Sequence, residues 1–152
     1  MPVIETVQAR DPGVLALLDA LTSELALAGY SADQTFGYSL QQLEQGRVHL
    51  VGARVGGQLV AVGGVELHAD GSGELKRFYV VPHHRGTGVA DAVIAALVAH
   101  ARQRRTEVLR LETGDKQQAA ISFYRRHGFV EIPRFGAYVN SATSVCMKRD
   151  LT

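Results

Sequence analysis

Apolar residues recur along this chain in two rhythms, and the switches between them mark its elements. "VIETVQA", Val3 to Ala9, alternates weakly and predicts a first strand. Val14, Leu17, Leu18, Leu21, Leu25 and Ala28 then recur at helical spacing. Asp11 stands at the N-cap position, Pro12 at the first helical position where its missing N–H costs nothing, and Gly29 at the stop. Ser31 and Gln34 have capping-box spacing, and Phe36, Leu40 and Leu43 predict a second helix that ends at Gly46.

Past Gly46 the period shortens. "RVHLVGARV" and "QLVAVGGVELH" read as strands joined at Gly56–Gly57, and "DGSG" turns the chain into a strand over Glu74–Val81. Together they predict an antiparallel meander, in which alternation puts Glu74 on one face with Lys76, Phe78 and Val80. From Gly88 the pattern is helical again, with Val89, Val93, Ala96, Leu97 and His100 on one face, followed by a strand over Glu107–Thr113. Strand, helix and strand in this order predict a right-handed parallel βαβ unit. Asp115 and Gln118 are placed to cap a further helix carrying Ala120, Phe123, Tyr124 and His127, with Gly128 as a left-handed stop and Phe129 folding back. "FVEIP" and "TSVCMKRDL" close the chain as strands around the loop "RFGAYVNSA". The expected class is α/β in a loose sense: one domain over residues 1–152, a mixed sheet with helices on both faces.

Composition removes several functions. A net charge of +1 gives no electrostatic footprint for nucleic acid, and "ARQRR" reads as a solvated helix end. The single cysteine, Cys146, excludes an intrachain disulfide and a multi-cysteine zinc site, and packs best as a small hydrophobe. No run approaches the roughly 18 apolar residues of a membrane span. The N-terminus lacks the basic and apolar regions of a secretory signal, so a cytoplasmic protein without a membrane partner is expected. The side chains of His83 and His84 diverge and have no third ligand at motif spacing, so no metal is expected.

The stretch "HHRGTGVA" carries the candidate chemistry. It can be a plain turn in which glycines permit positive φ. It lacks the Lys-Ser or Lys-Thr of a P-loop, and Asp91 stands where a dinucleotide fingerprint needs its third glycine. It can also be an anion site, because backbone N–H groups at the helix start lack acceptors and Arg85 adds a fixed charge.

Here the sequence resembles a known family. Arg85, Gly88 and Ala90 fit the Arg/Gln-x-x-Gly-x-Gly/Ala loop that binds the coenzyme A pyrophosphate in GNAT N-acetyltransferases. "ELKRFYVVP" looks like that family's fourth strand, and Ala120, Tyr124, Gly128 and Phe129 match its second signature, Ala-x-x-x-Tyr-x-x-x-Gly-Phe. Order and spacing agree over essentially the whole chain. The resemblance implies the acyl-CoA N-acyltransferase fold and acetyl-CoA as cosubstrate. Arg85, Gly86, Thr87, Gly88, Val89 and Ala90 would hold the diphosphate, and the backbone of Tyr79, Val80 and Val81 the pantetheine arm. Many members carry asparagine seven residues before the tyrosine; Gln117 stands there, as an amide contact or a helix cap.

The reaction implied is direct attack of an amine on the thioester in a ternary complex. Tyr124, a phenol protonated at neutral pH, would be the general acid, and the Val80 N–H would stabilise the oxyanion. Glu74, at the start of the strand entering the loop, would be the general base, with Glu66 and Glu112 as alternatives. A carboxylate of ordinary pKa is too weak for this, so a water relay or a raised pKa is expected. The acceptor would be a small-molecule amine, and Arg77 and Arg134 hint that it carries a carboxylate. A homodimer is admissible. The alternative is an inert acetyl-CoA-binding sensor.

Overall fold

The computed structural model describes residues 1–31, 34, 38–45 and 48–152. Seven strands, β1 (Val3–Thr6), β2 (Val48–Val55), β3 (Gln58–Leu67), β4 (Ser72–Val80), β5 (Val108–Gly114), β6 (Val130–Ile132) and β7 (Ser144–Asp150), form one sheet in the order β1-β2-β3-β4-β5-β7-β6. The β4/β5 pair is parallel and all others are antiparallel, the mixed sheet that the meander and the βαβ unit predict. Among the described residues four α-helices join them: α1 (Pro12–Leu27), α2 (Leu40–Gln45), α3 (Val89–Gln103) and α4 (Gln118–Arg126). One core cluster packs Val93, Leu97 and Ala101 of α3 and Tyr124 of α4 on one sheet face. The other packs Val14, Leu17 and Leu18 of α1 and Leu43 of α2 around Val62 and Tyr79.

The elements stand where the periodicity puts them, but several caps do not. The first strand stops at Thr6, although Val7 and Ala9 remain buried. Asp11 precedes α1 without capping it; its carboxylate accepts from the Gln8 N–H. At Ser31 half of the capping box forms, with Ser31 N–H donating to Gln34 Oε1. The reciprocal box belongs to Ser39 and Gln42, where both side-chain oxygens accept from backbone N–H groups at the start of α2. Phe36 and Gly46 lie outside the described residues. Asp115 does not cap α4 either, because its carboxylate accepts from the Tyr30 hydroxyl and Gln117 is the N-cap residue.

The larger correction lies in β4. Lys76 pairs with Gly64 and Tyr79 with Val62, so Arg77 and Phe78 stand opposite Gly63 alone, and Arg77 takes φ +52°. This bulge inverts the alternation. Leu75, Phe78 and Val80 face the α3 side, whereas Glu74, Lys76 and Tyr79 share the other face. Strict alternation therefore fails for Phe78 and Val80, since an extra residue flips every side chain after it.

A stacked histidine pair joins β2 to α3: the rings of His49 and His100 lie 3.7 Å apart and 4° from parallel. Burial and nearby Arg104 hold both below the ordinary histidine pKa. The folded state thus takes up these protons less readily than the unfolded chain. Their contribution to stability is complete above the unfolded pKa of about 6.5 and is lost as pH falls through the lowered folded values. His100→Phe is expected to flatten the drop in Tm between pH 7 and pH 5. An unaltered slope in thermal melts would remove the pair as its cause.

Candidate functional site

The parallel strands β4 and β5 pair only from Ser72 opposite Val108 to Glu74 opposite Arg110, and then part. A cleft of about 370 Å³ opens between their C-terminal halves, walled by Leu75–Val80 on one side and Leu111–Gly114 on the other. Its far walls come from α1, α4 and the loop between β6 and β7, through Leu21, Phe123 and Tyr138. Chain order forces this arrangement: a parallel pair needs a crossover, and the crossover helix α3 begins where β4 ends.

At the mouth, a 3-10 turn over Pro82–His84 leads into the glycine loop. Gly86 and Gly88 take φ of +74° and +91°, and a Cβ at either would meet nothing within 4 Å, so the loop's outer surface is open. The first helical hydrogen bond runs from Ala92 N–H to Gly88 O. The N–H groups of Val89, Ala90 and Asp91 precede it without intrahelical acceptors, at the positive end of α3. Val89 itself is buried in the core, so only its backbone can serve a ligand. The Thr87 hydroxyl donates to His84 O and braces the turn. His83 and His84 are not among the lining residues of the cleft.

Val81 N–H donates to Val60 O across β3. By strand alternation the Val80 N–H and carbonyl then point away from β3, toward the gap left by β5. The carbonyl accepts from Arg85 Nε at 2.9 Å, and the N–H faces the cleft.

Tyr124 lines this cleft amid a cage of rings, 6.1 Å from Phe78, 5.5 Å from Phe123 and 5.7 Å from Phe129. Among the described residues none hydrogen-bonds its hydroxyl. Burial, reinforced by the nearby Glu112 charge, pushes its pKa above the ordinary tyrosine value, so it remains a proton donor throughout the working pH range.

The three candidate carboxylates are treated differently by the fold. Glu74 is buried and pairs with Lys76 Nζ at 2.8 Å, while its other neighbour, the Tyr138 hydroxyl, donates to the same oxygen. Lys76 also lies 4.1 Å over the Tyr38 ring. Glu66 accepts from the Tyr38 hydroxyl at 2.8 Å. Neither Glu74 nor Glu66 lines the cleft, whereas Glu112 does. Burial raises the Glu112 pKa to about 6; the Ser144 hydroxyl, donating at 2.5 Å, opposes that rise, and the Glu74 charge adds to it.

The fold thus gathers Tyr79, Val80, Arg85, Gly86, Ala90, Gln117 and Tyr124 around one cleft. Arg77 lines this cleft too, whereas Arg134 lies outside it. Arg77 Nη2 donates to Leu18 O and Thr22 Oγ1 of α1, and Arg134 donates to Ser144 O and Ala142 O. Both guanidinium groups thus brace the scaffold, while the buried Arg77 Nε has no hydrogen-bond partner among the described residues. Cys146 is buried, and burial pushes its thiol pKa up, as suits a packing residue. Sequence reasoning missed Tyr30, Tyr38 and Tyr138. Tyr30 reaches Gly114 so closely that a Cβ there would lie 2.3 Å from its hydroxyl, and it ties α1 to the loop after β5 through Asp115 and the Lys116 N–H. No motif spacing singles out Tyr138 within "RFGAYVNSA".

Residues 17–129 match the sequence model of the Acetyltransferase (GNAT) family. An IAA acetyltransferase of Azospirillum brasilense is 31% identical over 123 residues, 80% of each chain. A Klebsiella pneumoniae protein assigned to the acyl-CoA N-acyltransferases is 34% identical, with TM-score 0.85 over 100% of this chain and 99% of that one. The PaiA N-acetyltransferase of Thermoplasma acidophilum, solved with coenzyme A, shares the fold at TM-score 0.79 and 15% identity, over 99% of both chains.

Proposed function

Because the chain belongs to the GNAT acetyltransferase family, we propose that it moves an acetyl group from acetyl-CoA to a small-molecule primary amine. The observation that carries this reading is one continuous cleft lined by Arg85 and Gly86 at its mouth, Val80 and Tyr124 along it, and Glu112 at its inner end. The open glycine loop, the free N–H groups of α3 and Arg85 suit a diphosphate. Within Tyr79–Val81 it is Val80 that faces the gap and offers the edge on which the pantetheine arm pairs, and Gln117 supplies an amide beside it.

The chemistry follows from the placement. Above pH 6 Glu112 is ionised and takes a proton from the acceptor ammonium through a water. The amine lone pair forms the C–N bond while the thioester carbonyl oxygen gains charge, and the Val80 N–H donates to it. Such a donor lowers the barrier by about 3 kcal/mol. As the C–S bond breaks, the Tyr124 hydroxyl donates to the departing sulfur, which leaves as a thiol, and the proton shed by the acylated nitrogen passes through water to restore the tyrosine hydroxyl. Glu112 replaces Glu74 in the base role because it meets the cleft and carries a raised pKa, whereas Glu74 neutralises Lys76.

Calorimetric titration with acetyl-CoA, followed by thiol release over amino acids, polyamines, aminoglycosides and peptides, tests the proposal. Saturable binding with turnover of one amine class is expected. No binding at millimolar acetyl-CoA overturns the reading, and binding without thiol release across the panel favours the inert sensor.

A further inference from the structure

Arg85 is held from two sides. Its Nε donates to Val80 O at 2.9 Å, and its Nη2 meets Glu24 Oε1 of α1 at 2.8 Å. The guanidinium lies 5.4 Å over the Tyr79 ring, folded back along the cleft wall. Glu24, Arg85 and Gly86 line the same cleft. A carboxylate therefore already satisfies the cation that the functional reading assigns to a diphosphate oxygen.

We infer that Glu24 is an anionic stand-in for the diphosphate, holding Arg85 against Tyr79 and lowering the affinity for coenzyme A. This rests on the acetyl-CoA reading above. Two effects act in the same direction. Binding must exchange the Glu24–Arg85 pair for a phosphate–Arg85 pair, and the Glu24 carboxylate repels the incoming phosphates. Both partners are partly exposed, so the effect is modest, a factor of about two to five, and it shrinks with added salt.

The experiment titrates coenzyme A and pantetheine, which lacks the diphosphate, into the wild type, Glu24→Gln, Arg85→Ala and the double variant. Glu24→Gln is expected to tighten coenzyme A about two- to fivefold and to leave pantetheine unchanged. In the Arg85→Ala background the same substitution should recover little of that gain. Unchanged or weaker coenzyme A binding by Glu24→Gln overturns the inference, since Glu24 would then merely position Arg85. An equal gain for pantetheine, or an undiminished gain without Arg85, overturns it too. Failure of the wild type and every variant to bind coenzyme A overturns the functional reading and this inference together. Binding by the wild type with no gain in Glu24→Gln overturns the inference alone. Glu24→Ala, on a helix surface, repeats the test without the amide.

Discussion

Tyr124→Phe is expected to keep its fold and its acetyl-CoA affinity and to lose about two or more orders of magnitude in kcat. The ring sits among Phe78, Phe123 and Phe129, so a phenylalanine retains every aromatic contact. Only the hydroxyl is lost, the group that the proposed reaction sets against the sulfur. Without it the leaving thiolate departs unprotonated into a cleft walled by apolar rings, where charge is poorly solvated. The Val80 N–H still serves the carbonyl oxygen, so residual turnover persists. Single-turnover kinetics beside a binding titration separate the two quantities. A KM rise at constant kcat would instead assign Tyr124 to uniform binding of the cosubstrate.

The second large effect belongs to Glu112. In the wild type, kcat/KM should rise with pH through about 6, because the base must lose its proton before it can accept one. Glu112→Gln is expected to remove that limb and to lower kcat by about 10²-fold. Stability should move the other way. A carboxyl whose folded pKa lies above its unfolded value stabilises the fold only while protonated, and that advantage disappears as pH rises through about 6. At pH 8 the buried charge is a cost, so Glu112→Gln should melt higher than the wild type. Glu74→Gln supplies the contrast. It leaves the buried Lys76 ammonium without its counter-charge and should lower Tm. If Glu74→Gln abolishes the pH limb and Glu112→Gln does not, the base assignment is reversed.

The strand and helix order was legible because each element announces its own period, and Leu17, Val93 or Leu97 can be buried in only one way on a helix of that phase. The loop "HHRGTGVA" was legible for a similar local reason: positive φ at Gly86 and Gly88 is a property of the residues themselves. Capping was less so. Asp11, Asp115 and Ser31 all have suitable side chains, but a carboxylate takes whichever donor the fold brings near, as Tyr30 does for Asp115. The phase of β4 was illegible beyond Lys76, since the bulge at Arg77 depends on pairing with Gly63 and Gly64.

By itself, then, the sequence determined the run of elements, the glycine loop at the start of α3 and the tyrosine before Gly128–Phe129, all set by short-range spacing along one chain segment. The tertiary structure alone decided which of Glu66, Glu74 and Glu112 meets the cleft. That choice depends on residues distant in sequence: Lys76 and Tyr138 neutralise Glu74, Tyr38 occupies Glu66, and the parting of β4 from β5 leaves Glu112 facing the gap. A carboxylate's role is set by its dielectric surroundings and nearest charges, and those are properties of packing, not of spacing.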